Sequence, residues 1–255
     1  MAGLTGAAIA GAVAAFLAAA VNAVAGGGTF IAFPMLTGVV GLSEKLANAT
    51  CTVGLWPGYA SAVLAAWREI TGLPRRAVAM LTATSVAGGA VGGALLLLTP
   101  PSVFRQVVPI LLGVGTVLFA AGPRFNRRLD RAEPLAAPGA SAMPGVFAVA
   151  IYNGYFGAGG GVLVIAALTA SGLHDARRAN ILKMVVQVTS NAAALIILAC
   201  WGVAWPAALG MMPGAVAGGF AGMRLANAMP RRLLRAVILV AGVTLTIVYG
   251  LKALR

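Results

Sequence analysis

Three polar side chains stand out in an otherwise apolar stretch, ANILKMVVQVTSNAAALIILAC, at 179–200. Lys183, Gln187 and Asn191 fall at i, i+4 and i+8, so a helix presents them as one stripe. Asn180 and Ser190 flank it. A lysine inside an apolar helix costs about 2.5–3.5 kcal/mol on insertion scales, so it either snorkels to the surface or serves a site. The corresponding stretch ANATCTVGLWPGYASAVLAAW (47–67) carries Asn48, Thr52 and Tyr59 on a comparable stripe, polar but uncharged. Amide, hydroxyl and ammonium groups of this kind donate hydrogen bonds. The chemistry they suit is the binding of an anion.

Two glycine runs add to this: NAVAGGG at 22–28 and YNGYFGAGGG at 152–161. Glycine in a helix interior costs roughly 1 kcal/mol relative to alanine, so such triplets mark backbone that leaves helical geometry or is closely approached. A helix starting after Gly28 or Gly161 has free N–H groups and the positive end of its dipole at that point. That is an anion site needing no charged side chain. The candidate groups are therefore the backbone at Gly26, Gly27, Gly28 and Thr29, and at Gly159, Gly160 and Gly161. Asn22 and Asn153 precede the runs, and Tyr152 and Tyr155 flank Asn153. Close helix packing by small residues is the other reading of the glycines. It is the preferred one for VAGGAVGG (86–93) and VAGGFAG (216–222), which have no polar companions.

Several chemistries lack their residues. The five acids are Glu44, Glu69, Asp130, Glu133 and Asp175, all at segment ends or in one polar linker. No acidic cluster is available to hold Mg²⁺, and neither metal nor cofactor is expected. No GxxxxGK[ST] sequence occurs. The one histidine, His174, sits in a loop away from any nucleophile. Cys51 and Cys200 lie in separate apolar runs and form no metal spacing. The expectation is a protein that is not an enzyme.

The elements that must position these groups are apolar throughout. The chain has 255 residues, 60% hydrophobic and 9% charged. Its mean hydropathy is +0.96. Apolar segments run near 4–25, 27–42, 46–67, 77–98, 103–122, 143–157, 159–173, 179–200, 205–223 and 233–251. Near-charge-free runs of about 20 residues predict membrane-spanning helices. The fold class expected is an all-α polytopic bundle of about ten segments. The first segment resembles a signal peptide with an A-x-A site at Ala23–Ala25. It lacks a basic start, and the Asn-to-GGG pattern returns mid-chain, so it reads as a retained helix.

The two halves repeat. Ala47-Asn48 matches Ala179-Asn180 and Pro74 matches Pro206, both 132 apart; Arg105 matches Arg235, 130 apart. Residues 1–122 and 143–255 then form two five-segment repeats, joined by a Pro- and charge-rich linker at 123–142. An odd segment number makes the repeats inverted. The net charge of +13 supports that topology. If all ten segments cross, one side receives thirteen arginines and the other receives Lys45, Arg105, Lys252 and Arg255. The positive-inside rule then puts both termini outside. This arrangement of arginines between apolar segments also excludes nucleic acid as a partner. The glycine-led segments are short for a span and either cross fully or re-enter. Re-entry would leave the charge split without an orientation signal. Short Gly-interrupted segments at matching places are a pointer to a transporter binding site. Mid-membrane polar groups with no carboxylate indicate an anionic cargo, because a cation carrier requires buried acids.

At these residues the chain resembles the sulfite exporter TauE/SafE family, also called the 4-toluene sulfonate uptake permease family. The resemblance rests on N-x₃-GGG at 22–28, ANAT at 47–50, YNGYFGAGGG at 152–161 and RRANILKMVVQVTSNAAA at 177–194. It implies a multi-pass carrier in the bacterial inner membrane that exports small sulfur-containing anions such as sulfite or sulfoacetate. It also implies a proton as coupling ion, while alternating access is what two rocking repeats would provide. An anion channel, a carboxylate carrier and an intramembrane enzyme are the alternatives. The partners expected are a small anion and the lipid bilayer, with a homodimer left open.

Overall fold

Away from water, a backbone must satisfy its own polar groups, and these apolar runs do so as helices. A computed structural model describes residues 2–129, 138–173, 175–200, 202–226 and 231–253. His174, Arg255 and the linker charges Asp130, Arg131 and Glu133 lie outside the described residues. So do the side chains of Arg124, Arg127, Arg128, Arg231, Arg232 and Arg235.

Eleven α-helices occur among the described residues, and no strand. They are α1 (Ala2–Ala25), α2 (Thr29–Gly38), α3 (Glu44–Ala65), α4 (Trp67–Thr71), α5 (Arg75–Leu98), α6 (Pro101–Leu129), α7 (Met143–Tyr155), α8 (Gly160–Ala170), α9 (Ala176–Ala199), α10 (Trp205–Leu225) and α11 (Arg231–Ala253). Every apolar segment has its helix, and α4 is an addition, a single turn between α3 and α5. Helix α6 runs on to Leu129, into the stretch read as linker. By length and composition alone, four stretches suffice to cross a bilayer: Arg75–Leu98, Pro101–Ala121, Ala176–Ala199 and Ala236–Ala253.

Small residues set the packing. Gly214, Gly218 and Gly222 of α10 meet the backbone of Ala12, Phe16 and Ala20 of α1, four residues per step. Gly219 on the neighbouring face of α10 meets Gly58 and Ser61 of α3. Gly88 and Gly92 of α5 likewise meet Phe147 and Ile151 of α7, while Gly89 and Gly93 meet Ser190 and Ala194 of α9. A side chain at these positions would separate the backbones, which is the small-xxx-small logic of membrane helices. The order of contacts makes α1, α3 and α10 parallel to one another, and α5, α7 and α9 likewise. The two trios run in opposite senses. Trp56 Nε1 donates to Val188 O at 3.0 Å, the Ala204 amide donates to Thr50 Oγ1 at 3.1 Å, and Arg177 meets Glu69 at the far end. Helices α6 and α11 pair antiparallel outside them, with Arg105 Nη2 donating to Lys252 O at 3.0 Å. Exchanging α1 with α7, α2 with α8, α3 with α9, α5 with α10 and α6 with α11 maps the α1·α10, α3·α10 and α1·α2 pairs onto α5·α7, α5·α9 and α7·α8, and the α3·α9 and α6·α11 pairs onto themselves. Inverted repeats produce such an exchange.

The glycine-led helices are half-length. With 10 and 11 residues, α2 and α8 are about 15 Å long, against a hydrocarbon core of about 30 Å. Gly28 lies against Ala18 and Met35 against Gly11, so α2 runs back along α1. Gly160 against Asn153 and Gly145 against Ala167 show the same hairpin in α7–α8. Half-length helices of this kind suit the re-entrant reading of the glycine-led segments. Each hairpin returns to the end where it began, so the sides assigned to later charges are unchanged. Arg68, Arg75, Arg76, Arg177, Arg178 and Arg224 mark one end of the bundle. Lys45, Arg105 and Lys252 mark the other.

Candidate functional site

The two hairpin turns meet at the centre. Gly26 and Gly159 adopt left-handed backbone, at φ 82° and 72°, which lets each chain reverse before its half-helix starts. A β-carbon built on Gly161 would sit 2.5 Å from Gly26 Cα, and one on Gly26 would sit 2.7 Å from Gly161 Cα. The turns therefore touch backbone to backbone. Gly27 lies against Ile238, Gly28 against Ala18, Gly159 against Gly115 and Gly160 against the Asn153 side chain. Close packing thus accounts for these glycines sterically.

Not all backbone donors at the turns are free, as the sequence had suggested. The Gly26 amide donates to Asn22 O, Gly160 to Gly157 O and Val162 to Gly159 O, at 3.0–3.1 Å. The amides of Gly27, Gly28 and Thr29, and of Ala158, Gly159 and Gly161, have no acceptor among the described residues. Neither half-helix has a side-chain cap. The positive end of each therefore keeps unspent donors.

Beside the turns lies a narrow cavity of about 10 Å³, lined by Thr29, Cys51, Thr52, Tyr59, Phe156, Gly157, Gln187 and Asn191. That is room for about one water. Thr29, Thr52, Gln187 and Asn191 are thus brought together. Cys51, Phe156 and Gly157 were not anticipated, and Tyr59 had been placed only on the stripe. A signal for Cys51 existed: at the 132-residue offset it is the counterpart of Lys183. No lining residue is acidic.

The remaining candidates surround this cavity. Asn22 Nδ2 donates to Gln187 Oε1 at 3.1 Å, tying α1 to α9. Lys183 is 0% exposed and does not snorkel. Its ammonium donates to Asn22 O, Ala23 O and Asn180 Oδ1 at 2.9, 3.1 and 2.8 Å. All three of its hydrogens are used, and it caps the C-terminal carbonyls of α1, where a cation also suits the helix dipole. Asn48 plays the matching part in the other half, donating from Nδ2 to Tyr155 O of α7 at 2.8 Å. Each half thus caps the other's broken helix.

Tyr152 Oη donates to Ala158 O at 2.6 Å and holds the α7–α8 break. Tyr155 lies towards the lysine end, its hydroxyl 3.3 Å from Thr99 Oγ1 and its ring against Phe104. Asn153 is 1% exposed, and both polar atoms of its side chain lack a partner. An unmade hydrogen bond there costs about 1–3 kcal/mol. Phe33, Phe104 and Phe156 pack together between the cavity and the lysine end, with centroids 5.8 and 6.2 Å apart. Among the described residues, no group of three or more His, Cys, Asp or Glu can hold a metal.

The chain is 25% identical over 233 residues to a probable membrane transporter protein of Haemophilus influenzae, covering 91% of this chain and 89% of that one. It is 26% identical over 235 residues to the probable membrane transporter protein YfcA of Escherichia coli K12, covering 91% and 85%. No solved structure matches the chain. Residues 11–249 match the family described as sulfite exporter TauE/SafE, nearly the whole length. With its apolar helices and central paired breaks, this multi-pass membrane transporter belongs to the sulfite exporter TauE/SafE family.

Proposed function

We propose that the chain exports small sulfur oxyanions, such as sulfite, sulfoacetate and other sulfonates, by alternating access at the central cavity. The observation that carries this reading is the cavity's wall. It is neutral and rich in donors, and it reaches the start of one uncapped half-helix at Thr29 and, at Gly157, the turn that leads into the other. Amide N–H groups at helix starts bind tetrahedral and pyramidal oxyanions without a counter-charge. Asn22, Asn153, Thr29, Thr52, Gln187 and Asn191 supply further hydrogen bonds. A cavity of about one water is too small for such an anion, so this conformation is a closed one. The trios α1–α3–α10 and α5–α7–α9 must move apart to admit cargo. The arginine end faces the cytoplasm by the positive-inside rule, which puts both termini outside.

A thermal-shift panel on the purified protein tests the cargo class. Sulfite, sulfoacetate or another sulfonate at a hundred times its Kd should stabilise by about 2.7 kcal/mol. Acetate and malonate at equal concentration should not. Equal stabilisation by carboxylates would replace this reading with a general anion carrier.

A further inference from the structure

A second cavity, of about 660 Å³, opens at the arginine end between α3, α4, α9 and α10. Its wall carries Trp67, Arg68, Glu69, Arg177, Met223 and Arg224. Three guanidinium groups face one carboxylate there. Arg177 grips Glu69 with two bonds, Nε to Oε2 at 2.5 Å and Nη2 to Oε1 at 2.7 Å. Arg224 lies over the Phe220 ring, 5.0 Å from its centroid. The floor continues inward. Met223 Sδ accepts from Asn180 Nδ2 at 3.8 Å, and Asn180 Oδ1 accepts from Lys183. From Lys183 the path reaches Asn22 and Gln187 at the central cavity.

At the opposite end the cavity is smaller, about 250 Å³, and Lys45 is the cation on its wall. That ammonium is already donated to the carbonyls of Leu97 and Thr99. A topology signal alone requires arginines anywhere on the rim. Here three of them line one cavity above a polar path, and the opposite cavity has no such cluster.

We propose that the arginine-end cavity is a docking vestibule for the oxyanion group of the cargo. Glu69 occupies Arg177 as an internal stand-in that an arriving sulfonate or sulfite displaces. The cargo's identity rests on the function proposed above, whereas the vestibule itself is tested with other anions. With Glu69 paired to Arg177, Arg68 and Arg224 leave the wall net positive, and a cleft of excess positive charge raises the local anion concentration about tenfold or more.

Trp67 reports on this directly. In the full chain, reconstituted in neutral lipid, its fluorescence is isolated by difference from Trp67→Phe. Iodide should quench Trp67 at least about threefold more strongly than in Arg68→Gln/Arg224→Gln, while neutral acrylamide quenches both equally. Sulfate should suppress the iodide effect more than chloride at matched ionic strength. Glu69→Gln, which frees Arg177, should raise iodide quenching, and it keeps the test open if the double variant fails to fold. Equal iodide quenching in all three proteins overturns the proposal. So does an anionic lipid, phosphatidylglycerol, that blocks iodide where sulfate does not and co-purifies only with wild type; the cavity is then a headgroup site. Iodide enrichment with no stabilisation by sulfur oxyanions removes the cargo reading and leaves the vestibule standing.

Discussion

Lys183→Met will destabilise the purified protein by about 3 kcal/mol or more and abolish transport. The ammonium has three acceptors at 2.8–3.1 Å, two of them carbonyls in the last turn of α1. Methionine fills much the same volume but donates nothing. Ala23 O and Asn180 Oδ1 are then left without partners, at about 1–3 kcal/mol each, partly offset by relaxation, while Asn22 O keeps only the Gly26 amide. The helix dipole of α1 loses its compensating charge as well. In the closed conformation none of the three hydrogens is left for cargo, so Lys183 acts as a clamp that positions α1 against α9. Chemical denaturation and sulfoacetate binding, measured on the folded fraction, separate the two roles. Lost stability with retained affinity marks a clamp. Retained stability with lost affinity marks a direct cargo contact.

Gly161→Ala has the second large effect. The added methyl would sit 2.5 Å from Gly26 Cα and 3.1 Å from Lys183 Cδ. The first neighbour is backbone and cannot move without parting the two turns. The variant should still insert, because its membrane helices are unchanged, yet lose transport by a hundredfold or more and stability by about 1–3 kcal/mol. Gly250→Ala is the control, since nothing lies within 4 Å of a β-carbon there. Proteoliposome flux and expression level, compared between the two, check this. Equal flux in both variants would mean that contact between the turns is dispensable.

The sequence was most informative where charge-free length and glycine spacing decide the outcome. Ten apolar runs gave ten helices because a bilayer leaves the backbone no alternative. The half-helices were visible as triplets of glycine followed by short apolar runs. Helix α4 was missed because one turn carries no periodicity, and α6 overran its expected end into a charged stretch. The site was legible in part. Thr29, Thr52, Gln187 and Asn191 share a stripe or a helix start, and both features are readable from spacing. Phe156 and Gly157 reach the cavity because α7 breaks beside α3, a matter of tertiary placement. Lys183 was visible as an outlier, but its target was not. Its ammonium points where α1 happens to end in space, about 160 residues away in the chain. The capping of α7 by Asn48 was present only as half of a repeated Ala-Asn pair, whose other member, Asn180, accepts from Lys183.

Cys51 provides the most direct test, because its thiol lines the central cavity and is buried in the closed conformation. In a Cys200→Ser background, N-ethylmaleimide reaches Cys51 only as the halves open. If the cavity is the cargo site, saturating sulfoacetate slows labelling of Cys51 at least about tenfold, and acetate at the same concentration does not. Labelling at one rate with and without sulfoacetate, in protein shown to bind it, would place the cargo elsewhere and contradict the account.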